Sequence, residues 1–455
     1  MNILVAGEGA RAFAVAKAVG KSGGVAFLLP EIAAEGFYLT LECNPSDPLS
    51  VAEAAEREQI SLAVITDEKI MLSALPDLLE GKGIRVFAPA TRTAEILSDR
   101  TAVAELARAA DVPTPFQKIL SSEAEAAKFL ESNPNREYVV KSPAKTKRVV
   151  IATTKKRALA AVAKVLATKK SVIVETRVFG HFIGASVITD GETAFIAPAT
   201  LPTKDGKGGR YGAVAPNPYC NERVKTETRM RIIYPFLTAM KRAGIASRGW
   251  YNFDIMLTGY GPLFLGLDFF PPETEAETVL ALMKSDFAFL AANAACGTLE
   301  TCRAEFSSSD YALTVAVDEN SPERPCRAVR ENAYDYVNLG RVRFTGAEIE
   351  PLADRIATVT VATPTFNSAY HGAMDVAELS GLDGDFSREV GMDAYAEICR
   401  KKEIEHARAV RRAEIEKNRE YYTSMRFTEF DYNDPAYRER IKKELSAINR
   451  DERNK

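Results

Sequence analysis

Phosphate handling is the first chemistry that the side chains suggest. Asn2–Ala6 is a short apolar run, Gly7-Glu8-Gly9-Ala10-Arg11 follows, and a helical pattern continues through Ala18. Strand, glycine turn and helix open a βαβ unit. The glycines let the backbone approach a ligand, the helix N-terminus attracts phosphate, and Arg11 offers a guanidinium that grips phosphate with two parallel hydrogen bonds. The same turn also suits a plain structural corner with a surface arginine, or the opening of a nicotinamide-dependent dehydrogenase. A second candidate lies further on. Two antiparallel-looking strands, Tyr138–Lys141 and Arg148–Thr153, are joined by a short basic loop and followed by a helix over Lys155–Ala167 and a strand over Val172–Glu175. That order suits a subdomain that clamps a nucleotide. A third is the glycine-rich loop Asp205–Gly212. His181 reads as a packing or surface residue.

The elements that must carry these residues alternate at first. Strands at Val25–Leu29, Leu62–Ile65 and Arg85–Ala88, with helices near 50–58 and 70–81, predict a parallel α/β sheet for about residues 1–90. Residues 92–112 read as one helix, ended by Val112-Pro113-Thr114-Pro115, where two prolines mark a domain boundary. From Ala185 strands dominate, with a hairpin turn at Asp190-Gly191. Helices are expected over about 225–243 and 275–294, and strands around 250–258 and 262–269. Residues 310–391 read as short strands plus a helix. The domains expected are therefore 1–92, 93–300 with a lid at about 113–180, a small β-rich domain 301–391, and a charged helical tail 392–455. Residues 401–455 hold 15 Lys+Arg and 12 Asp+Glu with few apolar positions, which predicts a solvated helix, an extended piece around Tyr421–Tyr437 and a frayed end. Such a tail is either plain surface or a contact for another protein.

Composition narrows the classes. A chain of 455 residues with 59 Lys+Arg against 62 Asp+Glu has a formal charge of −3, so no global field invites nucleic acid or an anionic membrane. No stretch of 18 or more apolar residues exists, so no membrane span is expected. The opening residues lack the basic start of a signal peptide, and the cytoplasm is the expected compartment. Cys43, Cys220, Cys296, Cys302, Cys326 and Cys399 form no CxxC, which argues for reduced thiols rather than disulfides or a metal cluster.

Taken in order, the segments resemble the phosphoribosylamine–glycine ligases, also called glycinamide ribonucleotide synthetases, of the ATP-grasp superfamily. Gly7–Ala14 is similar to that family's GxGGREHA turn, with Ala12 and Phe13 in place of Glu and His. Val86-Phe87-Ala88-Pro89 resembles IFGP, Ser98 and Arg100 lie near the SK positions, and Val112-Pro113-Thr114 matches IPT. Tyr138–Lys141 matches VVK, Ile173–Glu175 the strand into the adenine hinge, and Gly208–Ala213 the GGMGAY loop. Ile232–Gly244 resembles IxPxxxAMxxxG. Pro272-Glu273-Thr274 and Met283–Asp286 resemble DPET and LKSD, and Gly384–Gly391 the closing GMFYRxDIG. The likeness runs from residue 1 to about 391.

The resemblance implies a preATP-grasp domain, a pair of ATP-grasp subdomains, ATP and Mg²⁺ as cofactors, and small-molecule substrates: an amino acid and phosphoribosylamine. ATP would phosphorylate a carboxylate, and an amine would attack the acyl phosphate, with catalysis by positioning and charge neutralisation. Carried over by position, Arg100, Lys141, Lys147 and Glu175 fall on the ATP side. Gly9, Arg11, Lys204, Gly209, Gly212, Glu273, Thr274 and Lys284 fall on the substrate side. Asp268 and Asp254 are the metal candidates. Several positions depart from the pattern. The flap Ser142–Val149 has no glycine and contains Pro143, leaving Lys145, Lys147 and Arg148 as side-chain charges. The ribose contact near 180–184 has no carboxylate. Phe270 stands where a magnesium ligand is expected, and an aromatic ring cannot coordinate Mg²⁺. The residues leave two readings open: a divergent ligase, or a catalytically impaired relative serving as a binding or scaffold protein.

Overall fold

The computed structural model describes residues 1–29, 38–133, 136–145, 149–204, 209–319, 326–327, 329–330, 333–345, 348–382, 384–424 and 435–451. Lys147, with Thr146 and Arg148, lies outside the described residues, as do Asp205–Gly208.

Strands β1 (Asn2–Ala6), β2 (Val25–Leu29), β3 (Leu39–Thr40), β4 (Leu62–Ile65) and β5 (Arg85–Phe87) form a parallel sheet in the order β3-β2-β1-β4-β5. β1 and β4 are buried almost throughout, as expected of central strands covered on both faces. The Gly9–Lys21 helix packs against this sheet.

Next comes an antiparallel sheet with a core of its own. β6 (Gln117–Leu120), β7 (Tyr138–Lys141), β8 (Val150–Ala152) and β9 (Val172–Thr176) pair in the order β6-β9-β7-β8. Leu120, Phe129, Leu130, Tyr138, Val140, Val162, Val172 and Val174 fill that core beneath the Glu123–Glu131 and Lys155–Leu166 helices. β7 alternates, with Tyr138 and Val140 inward and Val139 and Lys141 on the other face.

A long hairpin-built sheet supplies the opposing surface. β10 (His181–Asp190), β11 (Ala194–Ile196), β14 (Arg248–Thr258) and β15 (Gly261–Asp268) run in the order β11-β10-β14-β15. Between them in sequence, β12 (Leu201–Lys204) and β13 (Arg210–Ala215) join a third antiparallel sheet with β16 (Tyr311–Glu319), β18 (Val337–Leu339), β21 (Arg355–Thr363) and β22 (Gly384–Phe386). β17 (Cys326–Arg327), β19 (Val342–Thr345) and β20 (Glu348–Pro351) make a small sheet ordered β17-β20-β19.

Three expected helices are broken. Residues 92–112 form two, Thr91–Ser98 and Arg100–Ala109, because the Asp99 carboxylate accepts from the Thr101 amide and starts a new helix. A π-helical turn, Arg229–Ile233, interrupts the second. The third divides into Glu275–Leu282 and Phe287–Cys296, with Asp286 capping the latter through the Phe289 amide. The tail divides off as a separate unit, Ile398–Lys455. Around the expected extended piece, the chain is helical to Ser424 and again from Pro435, and residues 425–434 lie outside the described residues. Among the described residues no helix is long and apolar enough to cross a membrane.

Candidate functional site

The polar face of the lid sheet carries the first wall. Lys141 on β7 and Glu175 on β9 are diagonal neighbours in an antiparallel pair, and Lys141 Nζ lies 2.9 Å from Glu175 Oε1. The same ammonium donates to the Leu265 carbonyl of β15 at 3.0 Å, so it spans from the lid to the opposing sheet. Lys145 does likewise: its ammonium donates to the Leu267 carbonyl and sits 3.8 Å from the centre of the Phe269 ring. Arg100 organises the turn between these lysines. Its guanidinium donates to the Ser142 and Ala144 carbonyls at 3.1 and 2.9 Å and to Lys145 O at 3.1 Å, while its own amide donates to Pro143 O at 2.8 Å. The start of the glycine-free flap, Ser142–Lys145, is therefore held by a side chain that the family resemblance places on the ATP side.

The second wall is a dense ion cluster. Arg210, at the start of β13, reaches β14, β15 and the Glu275–Leu282 helix together. Its NH2 lies 3.2 Å from both Asp254 oxygens and 3.7 Å from Asp268 Oδ2, and its NH1 pairs closely with Glu275. Glu275 is fully buried and also accepts from the Thr200 hydroxyl. Lys204 Nζ is 3.7 Å from Asp254 Oδ1 and 4.2 Å from the Phe182 ring centre. Burial alone would raise the Asp254 carboxyl, but Lys204 and Arg210 outweigh it and hold the group at about 2. Asp268 moves the other way, raised by burial and then by the Asp254 charge. Burial presses the Lys145 and Lys204 ammonium groups below the usual lysine range against the pull of these aspartates.

The third part surrounds the N-terminal glycine turn. Gly9 takes φ +84°, and a Cβ there would stand 2.8 Å from Glu273 Oε1. That oxygen accepts from the Ala10 amide at 2.9 Å, so Glu273 occupies the positive end of the Gly9–Lys21 helix. Arg355 NH1 holds the other Glu273 oxygen at 3.0 Å, and Arg355 Nε holds Asp318 at 2.9 Å. Arg11 NH1 donates to Pro271 O at 3.3 Å, and its guanidinium stands 5.5 Å from the Phe270 ring centre. Thr274 is buried at φ +74°, an outlying conformation for a β-branched residue. Polar atoms without a hydrogen-bond partner gather here: Arg11 Nε, Thr66 Oγ1, Thr274 Oγ1 and both carboxyl oxygens of Glu277.

Burial, and then the Glu273 charge, push the Glu277 carboxyl up to about 8. Between the ordinary glutamate value and about 8 the native chain keeps a proton that the unfolded chain has released, so stability falls as pH rises through that window, by at most about 1.4 kcal/mol per pH unit. Glu277→Gln should abolish this slope. Its melting temperature is expected above that of the unmutated chain at about pH 8.5 and close to it at about pH 5; parallel melting curves across the range would refute the assignment.

The remaining positions lie apart. Gly212 is inside β13, where a Cβ would lie 2.5 Å from Thr314 O and 2.4 Å from Val390, so packing accounts for it. Gly209 directly precedes that strand. Lys284 is exposed, and its amide donates to Glu305 O. The His181 ring stacks on Tyr219 with centres 3.5 Å apart. Residue order does not single out Arg210, Glu275 or Arg355. The one readable signal is the place of Arg210 within the glycine-rich loop Asp205–Gly212; nothing in the sequence marks Glu275 as buried.

Magnesium does not fit this donor set. It asks for near-octahedral oxygen ligands at about 2.0–2.1 Å. Asp254 and Asp268 already share a guanidinium, Phe270 is packed against Trp250 at 4.9 Å between ring centres, and among the described residues no group of three His, Cys, Asp or Glu could hold a metal.

Known proteins place this geometry in a family. The N domain of phosphoribosylglycinamide synthetase matches residues 1–96, and the ATP-grasp (A) domain of the same family matches residues 98–274. A phosphoribosylamine–glycine ligase of Rhodopirellula baltica is 29% identical over 345 residues, spanning 70% of this chain and 79% of its own. One from Agrobacterium fabrum is 27% identical over 425 residues, spanning 87% of this chain and 99% of its own. Among solved structures, the phosphoribosylamine–glycine ligase of Thermotoga maritima superposes with a TM-score of 0.71 at 17% identity, covering 86% of this chain and 100% of its own. The biotin carboxylase domain of a Hydrogenobacter thermophilus carboxylase, solved with MgADP and bicarbonate, gives 0.64 at 17% identity, covering 85% and 92%. The fold is that of the ATP-grasp enzymes, and the chain belongs to the phosphoribosylglycinamide synthetase family.

Proposed function

We propose that the chain is an ATP-dependent carboxylate–amine ligase of the phosphoribosylamine–glycine type, working through an acyl phosphate. The observation that carries this reading is the convergence of Lys141, Lys145, Lys204 and Arg210, from the lid and from the third sheet, on the β14–β15 surface. Cations drawn from separate elements onto one desolvated surface suit the developing charge of phosphoryl transfer.

In this reading Lys141 and Glu175 hold the nucleotide at the lid sheet. The γ-phosphoryl passes from ATP to a glycine carboxylate oxygen, leaving ADP. Lys145 and Lys204 neutralise the charge on the transferring group. The amine of phosphoribosylamine then attacks the carbonyl carbon, the C–O bond to phosphate breaks, and phosphate leaves as the amine loses a proton. The unpartnered atoms of Arg11, Thr66, Thr274 and Glu277 supply polar contacts for the phosphoribosylamine end.

The test is coupled: ADP and phosphate should appear in equal amounts only when ATP, glycine and phosphoribosylamine are all present. Nucleotide binding without any substrate-dependent ADP would support a second reading, a binding or scaffold protein. One observation favours that alternative: Arg210 and Lys204 already neutralise the carboxylates that face the cleft. Residues 392–455 would then be the place for a protein contact.

A further inference from the structure

The Arg210 node differs from an ordinary surface ion pair in being built from four directions. Its NH1 is committed to Glu275, which has no solvent exposure and is also held by Thr200. Its NH2 meets Asp254 at 3.2 Å and Asp268 at 3.7 Å. Its carbonyl accepts from Arg355 NH2 at 2.7 Å, which pins the start of β13. Beneath it, Gly184 leaves the space that the Glu275 carboxylate fills.

Among the described residues the charges around the node balance. Asp254, Asp268 and Glu275 face Arg210 and Lys204, and Lys145 stands over Phe269 beside Asp268. One step out, Glu68 and Arg100 add one charge of each sign to the field at Lys145. A divalent ion brought to Asp254 and Asp268 would have to displace a guanidinium that never deprotonates, leave a buried glutamate without its partner, and settle among three cations. Its oxygen ligands would have to come within about 2.1 Å, into space that the Arg210 nitrogens now hold.

We propose that Arg210 supplies permanently the positive charge that a divalent ion would bring to the Asp254–Asp268 surface, so that this site takes a phosphorylated ligand as the free anion rather than as a magnesium complex. The nucleotide part rests on the ligase reading above; the counter-cation part does not. The ligand class is a nucleoside di- or triphosphate whose phosphates meet Arg and Lys side chains directly, as charge-assisted hydrogen bonds. Removing Arg210 should leave the Asp254 and Asp268 carboxylates without their shared counter-cation, so that they draw a divalent ion although, as they now stand, no three carboxylates among the described residues form a metal site.

Two measurements on the full chain test this. The first needs no nucleotide. Mn²⁺ is titrated into the protein and the free ion is counted by electron paramagnetic resonance. The native chain should take up no Mn²⁺ at micromolar concentration, whereas Arg210→Met should bind about one ion per chain, and Arg210→Met/Asp254→Asn should lose it again. Stoichiometric Mn²⁺ on the native chain would overturn the proposal, and so would an Arg210→Met protein that folds and binds none. If that variant fails to fold, the native titration decides alone. The second measurement is calorimetry with ADP and ATP in EDTA and in excess Mg²⁺. Affinities within about twofold of each other are expected; a gain of about tenfold or more with Mg²⁺ would overturn the free-anion claim. No nucleotide binding in either buffer would sink the ligase reading, and the Mn²⁺ result would still decide the role of Arg210.

Discussion

Lys141→Met should cost about 3–5 kcal/mol of stability, the usual result of leaving one partner of a buried ion pair behind. Glu175 is the partner left: its side chain is 5% exposed and its Oε1 lies 2.9 Å from the lost ammonium. The carbonyl of Leu265 would lose a donor as well. The double variant Lys141→Met/Glu175→Gln removes both charges and should recover most of that loss. Nucleotide affinity should not recover, because neither variant restores a cation to the polar face of the lid sheet. Urea midpoints and ADP calorimetry on the single and double variants separate the two effects. Recovery of both together would mean that the pair serves stability alone. Equal stability of the single variant and the native chain would contradict the geometry itself.

Gly184→Ala should be the most damaging single methyl in the molecule's second wall. The added Cβ would stand 1.8 Å from Glu275 Oε2 and 2.2 Å from Thr200 Oγ1, distances that no relaxation of one side chain absorbs while Arg210 holds Glu275. A loss upwards of about 3 kcal/mol is expected, from overpacking and from disturbing a buried ion pair together. Gly266→Ala is the matched control. Gly266 lies opposite Asp254 on the adjacent strand, with no described residue within 4 Å of an added methyl, and should change stability by less than about 1 kcal/mol. Thermal melts of the two variants side by side make the comparison; similar losses would mean that glycine in these strands matters for backbone reasons and not for the space under Glu275.

Why some of this is readable from residue order and some is not comes down to range. β1, β2 and β4 announce themselves because a central parallel strand must be apolar on both faces, and those runs are continuous in sequence. The lid strands around Lys141 and Glu175 are legible because their apolar runs, Tyr138–Val140 and Val172–Val174, are also continuous in sequence. The Glu123–Glu131 helix escapes the apolar pattern although its signal is local: Ser122 accepts from the Glu125 amide and Glu125 reaches back to the Ser121 amide. β6 escapes it because Gln117 and Lys118 interrupt the apolar alternation a strand needs. The break at Asp99 also has a local mark, an acid able to cap the Arg100–Ala109 helix.

The ion cluster cannot be read that way. Arg210 meets Asp254 and Glu275 across separations of 44 and 65 residues, and only the folding of two sheets and a helix together makes them neighbours. In sequence, Glu275 and Glu277 look like the acidic first turn of a solvated helix, where such residues are favoured by the helix dipole. Burial turns one into the anchor of a guanidinium and the other into a carboxylic acid that keeps its proton near neutral pH. The resemblance to known ligases marks where ligands are expected, but not which of those positions the protein fills with its own charges.

The lid sheet has a consequence for how such a chain can change over generations. Its apolar residues, Leu120 to Val174, close on one another beneath two helices and make a core that borrows nothing from the sheets around it. A unit of that kind is a natural compartment for inherited variation. Apart from Lys141 and Glu175, which are tied to each other and to β15, changes in its loops leave that core intact. The glycine-free stretch Ser142–Val149, with Pro143 near its start, sits at the edge of such a compartment, where Lys141 just before it and Lys145 within it reach across to β15.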